Sequence, residues 1–98
     1  MFMMPENTHK RIRLRIEGIV QGVGFRWWAI QRATERELRG TVKNLRDGAV
    51  EVDVCGSPED IEGFRTLLSR GPRAARVERI QELEPGQAPL PDDFRASY

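Results

Sequence analysis

One arginine lies among three glycines near the beginning of the chain, and this stretch is the most suited to chemistry. Residues 18–28 read GIVQGVGFRWW and contain no acidic residue. Glycines allow successive backbone N–H groups to converge, and the planar guanidinium of Arg26 can bind two oxygens of a phosphate or carboxylate. The stretch is typical of an anion-binding loop or of a tight turn, and spacing alone favours the turn. It is not GxGxxG, and it lacks the Lys-Ser/Thr ending of a nucleotide P-loop.

Asn44 is the second candidate for chemistry. Its amide carries both a donor and an acceptor, so it can orient a water molecule but is too weak a base to deprotonate one. The residue pattern alone favours a different interpretation, a turn asparagine before LRDG. No general base is apparent elsewhere, because His9 precedes the first predicted strand and Cys55 has no nearby histidine to activate it.

Composition limits the remaining classes of function. The 98 residues carry 16 basic and 15 acidic side chains, for a net charge of +1, and one cysteine. This charge gives no general preference for nucleic acid, and a single cysteine excludes an internal disulfide or a cysteine-rich metal site. No apolar run approaches the roughly 20 residues of a membrane span, and no secretory signal is apparent. We therefore expect one small cytoplasmic domain with no membrane span, no cysteine-rich metal site and no general affinity for nucleic acid.

Hydrophobic periodicity predicts a strand, a helix and a second strand in the first half of the chain. Residues 10–20 alternate between apolar and charged side chains, which indicates a half-buried strand. From residue 25 to about residue 38 the apolar side chains recur at helical spacing. Residues 40–44 are a short extended segment. The glycine loop therefore lies between a strand end and a helix start.

The second half repeats this order. Asp47-Gly48 is a strong hairpin-turn signal, and the alternation in residues 49–56 predicts a strand after it. Ser57 is a suitable N-cap for a helix that ends at Gly71. Residues 75–84 then predict a strand.

The last predicted strands complete the fold. Val77 and Ile80 differ in parity, and a β-bulge would place both on one face of the strand. Residues 93–98, DFRASY, predict an edge strand. The order predicts an α+β, ferredoxin-like (βαββαβ) sandwich, an antiparallel sheet with two helices on one face. We expect this domain over residues 10–98, after a flexible N-terminal tail of residues 1–9.

Two motifs and the end of the chain resemble the acylphosphatase family. GIVQGVGFR, residues 18–26, is similar to the family signature G-x-V-Q-G-V-x-F-R. After thirteen intervening residues, GTVKNLRDGAVEVDVCG resembles the second signature, a glycine-x-x-x-asparagine followed by a turn glycine and an alternating strand. GPRAARVERI and DFRASY are similar to the usual family ending. The resemblance covers roughly residues 10–98, and the known family fold agrees with the predicted one.

The resemblance implies hydrolysis of the carboxyl–phosphate bond of small acyl phosphates, without metal or cofactor. Arg26 matches the arginine that binds phosphate, and Asn44 matches the asparagine that positions the attacking water. The implied substrate-binding residues form one run: Gln21, Gly22, Val23, Gly24, Phe25 and Arg26. In the mechanism favoured for the family, the proton of that water passes to a phosphate oxygen of the substrate. We expect a monomer with no partner other than this small molecule.

Two positions depart from the family pattern. Thr41 replaces a large aromatic or aliphatic residue, and Glu37 replaces a glycine that usually ends the first helix. Both lie outside the signature positions, so they affect the expected stability more than the expected activity. Trp27 and Trp28 are bulky for a helix start, and we expect one or both in the core or in the wall of an acyl pocket.

Two other classes of function remain as alternatives. A ferredoxin-like sheet can bind single-stranded RNA through exposed aromatic residues on its open face. Here that face of the third predicted strand carries Glu51 and Asp53, which repel phosphate, and no aromatic ring. The other alternative is a non-catalytic anion-binding or regulatory domain of the same fold, which would bind phosphate without turnover.

Overall fold

The computed structural model describes residues 9–98. Most of the predicted flexible tail, residues 1–8, therefore lies outside the described residues. His9 is exposed and precedes the first strand, as expected. The start of the domain at residue 10 remains a prediction, although the first strand begins there.

Five strands and two helices follow one another in the described chain. They are β1 (Lys10–Ile19), α1 (Phe25–Glu35), β2 (Arg39–Asn44), β3 (Val50–Gly56), α2 (Pro58–Arg70), β4 (Arg76–Leu83) and β5 (Phe94–Ala96). The strands form one sheet in the order β4-β1-β3-β2-β5. The strands from β1 to β4 pair antiparallel in the ferredoxin-like order β4-β1-β3-β2, which confirms the predicted fold. The short β5 pairs parallel to β2, so the complete sheet is mixed.

The core lies between the sheet and the helices. The alternation predicted for β1 and β3 is confirmed, because their inward residues are all buried: Ile12, Leu14, Ile16, Val50, Val52 and Val54. Helix α1 buries Phe25, Ala29 and Ala33 against this face, and α2 buries Ile61, Phe64 and Leu68. Burial of these apolar side chains is the main favourable term in folding.

A β-bulge in β4 resolves the parity conflict noted in the sequence. Glu17 of β1 pairs with Arg79, but the next residue, Gly18, pairs with Val77, so one residue of β4 is extra. Val77 and Ile80 consequently both pack against the core. The bulge that the sequence predicts is therefore present.

Helix α1 ends three residues before the predicted end. Its last helical residue is Glu35, and Glu37 follows in the left-handed conformation at φ 56°. The N–H of Leu38 donates to Ala33 O and that of Glu37 to Thr34 O, both at 3.0 Å, which is a Schellman motif. The prediction to Leu38 was wrong because the buried Leu38 belongs to this cap and not to a further helical turn.

The open face of the sheet carries ion pairs. Arg11 donates two hydrogen bonds to the Asp53 carboxylate, at 2.9 and 3.0 Å. On the same pair of strands, Nη1 of Arg13 lies 3.5 Å from Oε1 of Glu51. The arginine-rich β1 is therefore largely neutralised by β3.

Strand β5 brings the chain end back to the sheet. Gly40 N donates to Asp93 O and Ser97 N donates to Val42 O, each at 2.9 Å, on either side of the parallel pairing. Phe94 anchors the strand because its ring packs edge-on against Phe64 of α2, with centroids 5.6 Å apart. This placement carries the last residues of the chain toward the beginning of α1.

Candidate functional site

The loop between β1 and α1 exposes unpaired backbone donors. Gly22 and Gly24 have φ values of 75° and 77°, the left-handed region that glycine adopts most readily. Gly24 is the N-cap, and its carbonyl accepts from Trp28 N at 3.0 Å. Within residues 9–98, the N–H groups from Gly22 to Trp27 donate to no protein acceptor. With no acidic residue in the first turn, this helix N-terminus favours an anion.

Arg26 lies in the first turn of α1, beside these donors. In the described chain its guanidinium forms no ion pair and no hydrogen bond with a protein group. Its Cζ lies 5.3 Å from the ring centroid of Tyr98, a cation–π contact. Most of its five N–H donors therefore remain available for an oxyanion.

Asn44 is the last residue of β2, on the same face as the buried Val42. Its Oδ1 is buried and accepts no hydrogen bond from the described residues. A buried polar atom without a partner is uncommon and costs free energy, so it calls for an explanation. Because this oxygen lies in a residue that lines the same cavity as Arg26, a bound water or ligand would satisfy it.

Gln21 fixes the loop against the β2–β3 hairpin. Its Nε2 donates to Leu45 O at 2.7 Å and to Ala49 O at 2.8 Å. Leu45 directly follows Asn44, so this side chain connects the glycine loop to the strand end that carries the amide. The glycine spacing gave no sign of this role, although glutamine is one of the few side chains that can donate twice from one nitrogen.

A cavity of about 280 Å³ brings most of the predicted site residues together. Of these residues it is lined by Gly22, Gly24, Phe25, Arg26 and Asn44. Gln21 and Val23, also predicted to bind substrate, are not among the lining residues. Trp27, which the sequence offered as a possible pocket wall, also lines it, and sequence reasoning missed four others: Val20, Ile30, Ala96 and Tyr98. No sequence signal pointed to these four residues.

Other kinds of site are not apparent in residues 9–98. No group of three or more His, Cys, Asp or Glu side chains is arranged to hold a metal ion there. Cys55 is a free, half-buried thiol on the open face of the sheet. Within the same residues, no helix is long and apolar enough to cross a bilayer.

The fold places the chain in the class of ferredoxin-like α+β proteins, and comparison with known proteins narrows the class. The family model "Acylphosphatase" matches residues 12–96. The chain is similar to the acylphosphatase of Halorhodospira halophila, with 42% identity over 87 residues, which are 89% of this chain and 94% of that protein. It is also similar to the acylphosphatase of Mannheimia succiniciproducens, with 52% identity over 67 residues, covering 68% of this chain and 74% of that protein.

A solved structure agrees with these relatives. The acylphosphatase of Coxiella burnetii superimposes with a TM-score of 0.86 at 33% identity, and the match covers 98% of this chain and 100% of that chain. The chain therefore belongs to the acylphosphatase family of enzymes.

Proposed function

We propose that the protein hydrolyses the carboxyl–phosphate bond of small acyl phosphates to a carboxylate and inorganic phosphate. The observation that carries the proposal is the convergence of three groups on one cavity: Arg26, the N-terminus of α1 and the unpartnered Oδ1 of Asn44. Family membership supports the class of substrate, because the named relatives are acylphosphatases.

The phosphate binds to the loop and to Arg26. The unpaired N–H groups between Gly22 and Trp27 and the positive end of the α1 dipole attract its oxygens. The Arg26 guanidinium, which has no acidic partner in the described chain, binds two of the phosphate oxygens. These donors stabilise the charge that spreads over the phosphoryl oxygens in the transition state.

Asn44 positions the attacking water. Its buried Oδ1 accepts an O–H of the water, and this bond restricts the orientation of the attacking oxygen. An amide does not take up a proton at neutral pH, so its contribution is alignment of the nucleophile with the bond that breaks. Correct alignment is a large part of catalysis in phosphoryl transfer.

The reaction needs no acid or base from the protein. Water oxygen forms a bond to phosphorus, and the phosphorus–oxygen bond to the acyl group breaks. The carboxylate leaves with the bonding electron pair and, being a weak base, needs no protonation. One proton of the attacking water passes to a phosphate oxygen, which gives inorganic phosphate.

The test is hydrolysis of benzoyl phosphate in chelator-treated buffer by the wild type, Arg26→Gln and Asn44→Ala. We expect full activity in the wild type, and a loss of about 10²–10³-fold in kcat/KM in each variant, because each removes charge stabilisation or alignment. Arg73→Gln and Gln87→Ala are matched controls, since both residues are exposed and neither lines the cavity.

Three results would contradict parts of this proposal. An unchanged rate in Arg26→Gln or Asn44→Ala refutes the role given to that residue. Activity that depends on added metal refutes the mechanism. Phosphate binding without turnover in the wild type favours the alternative of a non-catalytic anion-binding domain.

We further propose that the protein is monomeric and cytoplasmic. The free thiol of Cys55 is compatible with a reducing compartment. Light scattering after gel filtration measures the first property, and cell fractionation measures the second.

A further inference from the structure

The cavity has two chemically different parts. Backbone N–H groups, the Arg26 guanidinium and the Asn44 amide supply the polar part. Side chains of Trp27, Ile30 and Tyr98 supply an apolar part. Binding of phosphate needs only the first of these, so the second part is left without a role in the proposed chemistry.

The exposed aromatic residues of the described chain are concentrated at this cavity. Three large hydrophobic side chains are exposed in residues 9–98: Ile19, Trp27 at 66% and Tyr98 at 97%. Two of the three line the cavity, and they are the aromatic ones. Exposed apolar surface gathered at one place is a feature of binding surfaces rather than of the rest of a soluble protein.

The two aromatic residues are held at the cavity by different parts of the fold. Trp27 directly follows Arg26 in α1. The residues on either side of this pair, Phe25 and Trp28, pack together with their ring centroids 5.6 Å apart. Tyr98 is delivered by β5, and its ring lies over the Arg26 guanidinium. Both aromatic residues therefore adjoin the cation that is proposed to hold the phosphate.

We propose that Trp27 and Tyr98 bind the acyl group and make the enzyme favour acyl phosphates with a planar, apolar acyl group over short alkyl ones. This inference rests on the proposed function. A phosphate bound to Arg26 brings the attached acyl group within reach of these rings, because both aromatic residues line the same cavity as Arg26. An aryl group gains stacking and apolar contact there that an acetyl group is too small to make.

The experiment compares kcat/KM for benzoyl phosphate and acetyl phosphate, whose leaving groups are both weakly basic carboxylates. We expect the wild type to favour benzoyl phosphate. Trp27→Ala and Tyr98→Ala should each lower the benzoyl-to-acetyl ratio by about fivefold, or about 1 kcal/mol, whereas Trp27→Phe and Tyr98→Phe should largely keep it. The ratio cancels any effect that is common to both substrates, including a displaced Arg26.

Ile19→Ala is the matched control, because Ile19 is also exposed but does not line the cavity, and its ratio should equal that of the wild type. Inhibition by phenylphosphonate and methylphosphonate gives a second measurement. The phenyl compound should inhibit the wild type more strongly, and Trp27→Ala should reduce this difference.

The outcomes separate this inference from the function on which it rests. Hydrolysis of both substrates with a ratio unchanged in Trp27→Ala and Tyr98→Ala overturns the inference and leaves the proposed function standing. Hydrolysis of neither substrate by the wild type overturns both. A ratio that falls equally in Ile19→Ala also overturns the inference, because the effect would not belong to the cavity.

Discussion

Asn44 illustrates how a single residue can favour function at the expense of stability. Its Oδ1 is buried without a protein partner in the described residues, and such an atom costs about 1–3 kcal/mol unless a bound water takes the role of partner. The amide lies at the end of a strand whose preceding inward residue, Val42, is fully buried and apolar. An apolar side chain would therefore suit this position better if folding alone mattered.

We predict that Asn44→Leu abolishes hydrolysis and raises stability. The change removes the water-orienting amide and also removes the unsatisfied oxygen, so the free energy of unfolding should increase by about 1 kcal/mol, or about 4–8 °C in Tm. Thermal unfolding and the benzoyl phosphate assay measure the two effects separately.

Lys43→Leu is the control for this prediction, since Lys43 is the adjacent residue of β2 and lines a different cavity on the open face. It should keep its activity. A destabilised Asn44→Leu would show that the amide is satisfied by a water even in the free protein.

At the scale of elements, the end of α1 contains strain that substitution can relieve. Glu37 is the one non-glycine residue with positive φ in the described chain, and it forms the left-handed position of the Schellman motif. The left-handed conformation costs a residue with a Cβ about 1–2 kcal/mol, while glycine tolerates it at some cost in unfolded-state entropy. The departure from the family pattern at this position therefore has a physical consequence.

We predict that Glu37→Gly stabilises the protein by about 1 kcal/mol. Glu35→Gly is the contrasting variant, because Glu35 lies in the last turn of the same helix, where glycine should destabilise by about the same amount. Urea unfolding of both variants gives the comparison. If both substitutions change the free energy of unfolding in the same direction, the explanation is contradicted.

The β2–β3 hairpin makes stability depend on pH. Hydrogen bonds from the Arg15 guanidinium and then from Ala49 N lower the pKa of Asp47. A carboxylate with a lowered folded-state pKa stabilises the protein above its unfolded pKa of about 3.9, and this contribution is lost as the pH falls through the folded value. Protonation of Asp47 would therefore weaken its contact with Arg15 of β1, while the backbone pairing of β1 with β3 remains.

We predict that Asp47→Asn loses less stability on acidification than the wild type does. Urea midpoints of both proteins at about pH 7 and about pH 3, above and below the unfolded-state pKa of Asp47, measure the loss of stability. Glu84→Gln is the control, because Glu84 is exposed and its side chain forms no ion pair in residues 9–98. An acid loss in Asp47→Asn equal to that of the wild type would contradict the prediction.

At the scale of the whole molecule, the charges on the open face of the sheet argue against RNA binding. Arg11, Arg13 and Arg15 each contact an acidic side chain, and the exposed aromatic residues of the described chain lie at the cavity. The three arginines of β1 on this face are therefore paired with acids, and within residues 9–98 the face offers no stacking platform for bases.

We predict that the protein does not retard single-stranded RNA in a gel-shift assay at low salt, where phosphate contacts are strongest. Poly-uridine and poly-adenosine oligomers are suitable probes. A complex that weakens steeply as salt increases would contradict the prediction.

Sequence patterns predicted those features of the molecule that depend on local order. The inward residues of β1 and β3, the Ser57 cap and the bulge in β4 all follow from periodicity or from one turn of chain. The predicted end of α1 was wrong because the buried Leu38 belongs to the Schellman motif at Glu37 and not to a further helical turn. Two contacts at the site join residues that are 24 or more positions apart: the hydrogen bonds from Gln21 to the β2–β3 hairpin and the cation–π contact of Arg26 with Tyr98. No pattern within one segment of sequence specifies such pairs.

The two adjacent tryptophans differ in their surroundings, which provides an internal optical reporter. Trp28 is half-buried and packs against the core, whereas Trp27 lies in solvent at the cavity mouth. The emission of Trp28 should change when the chain unfolds, and that of Trp27 when the cavity fills. In a Trp28→Phe variant, quenching of the Trp27 emission would then report that the cavity is occupied, even by compounds that undergo no reaction.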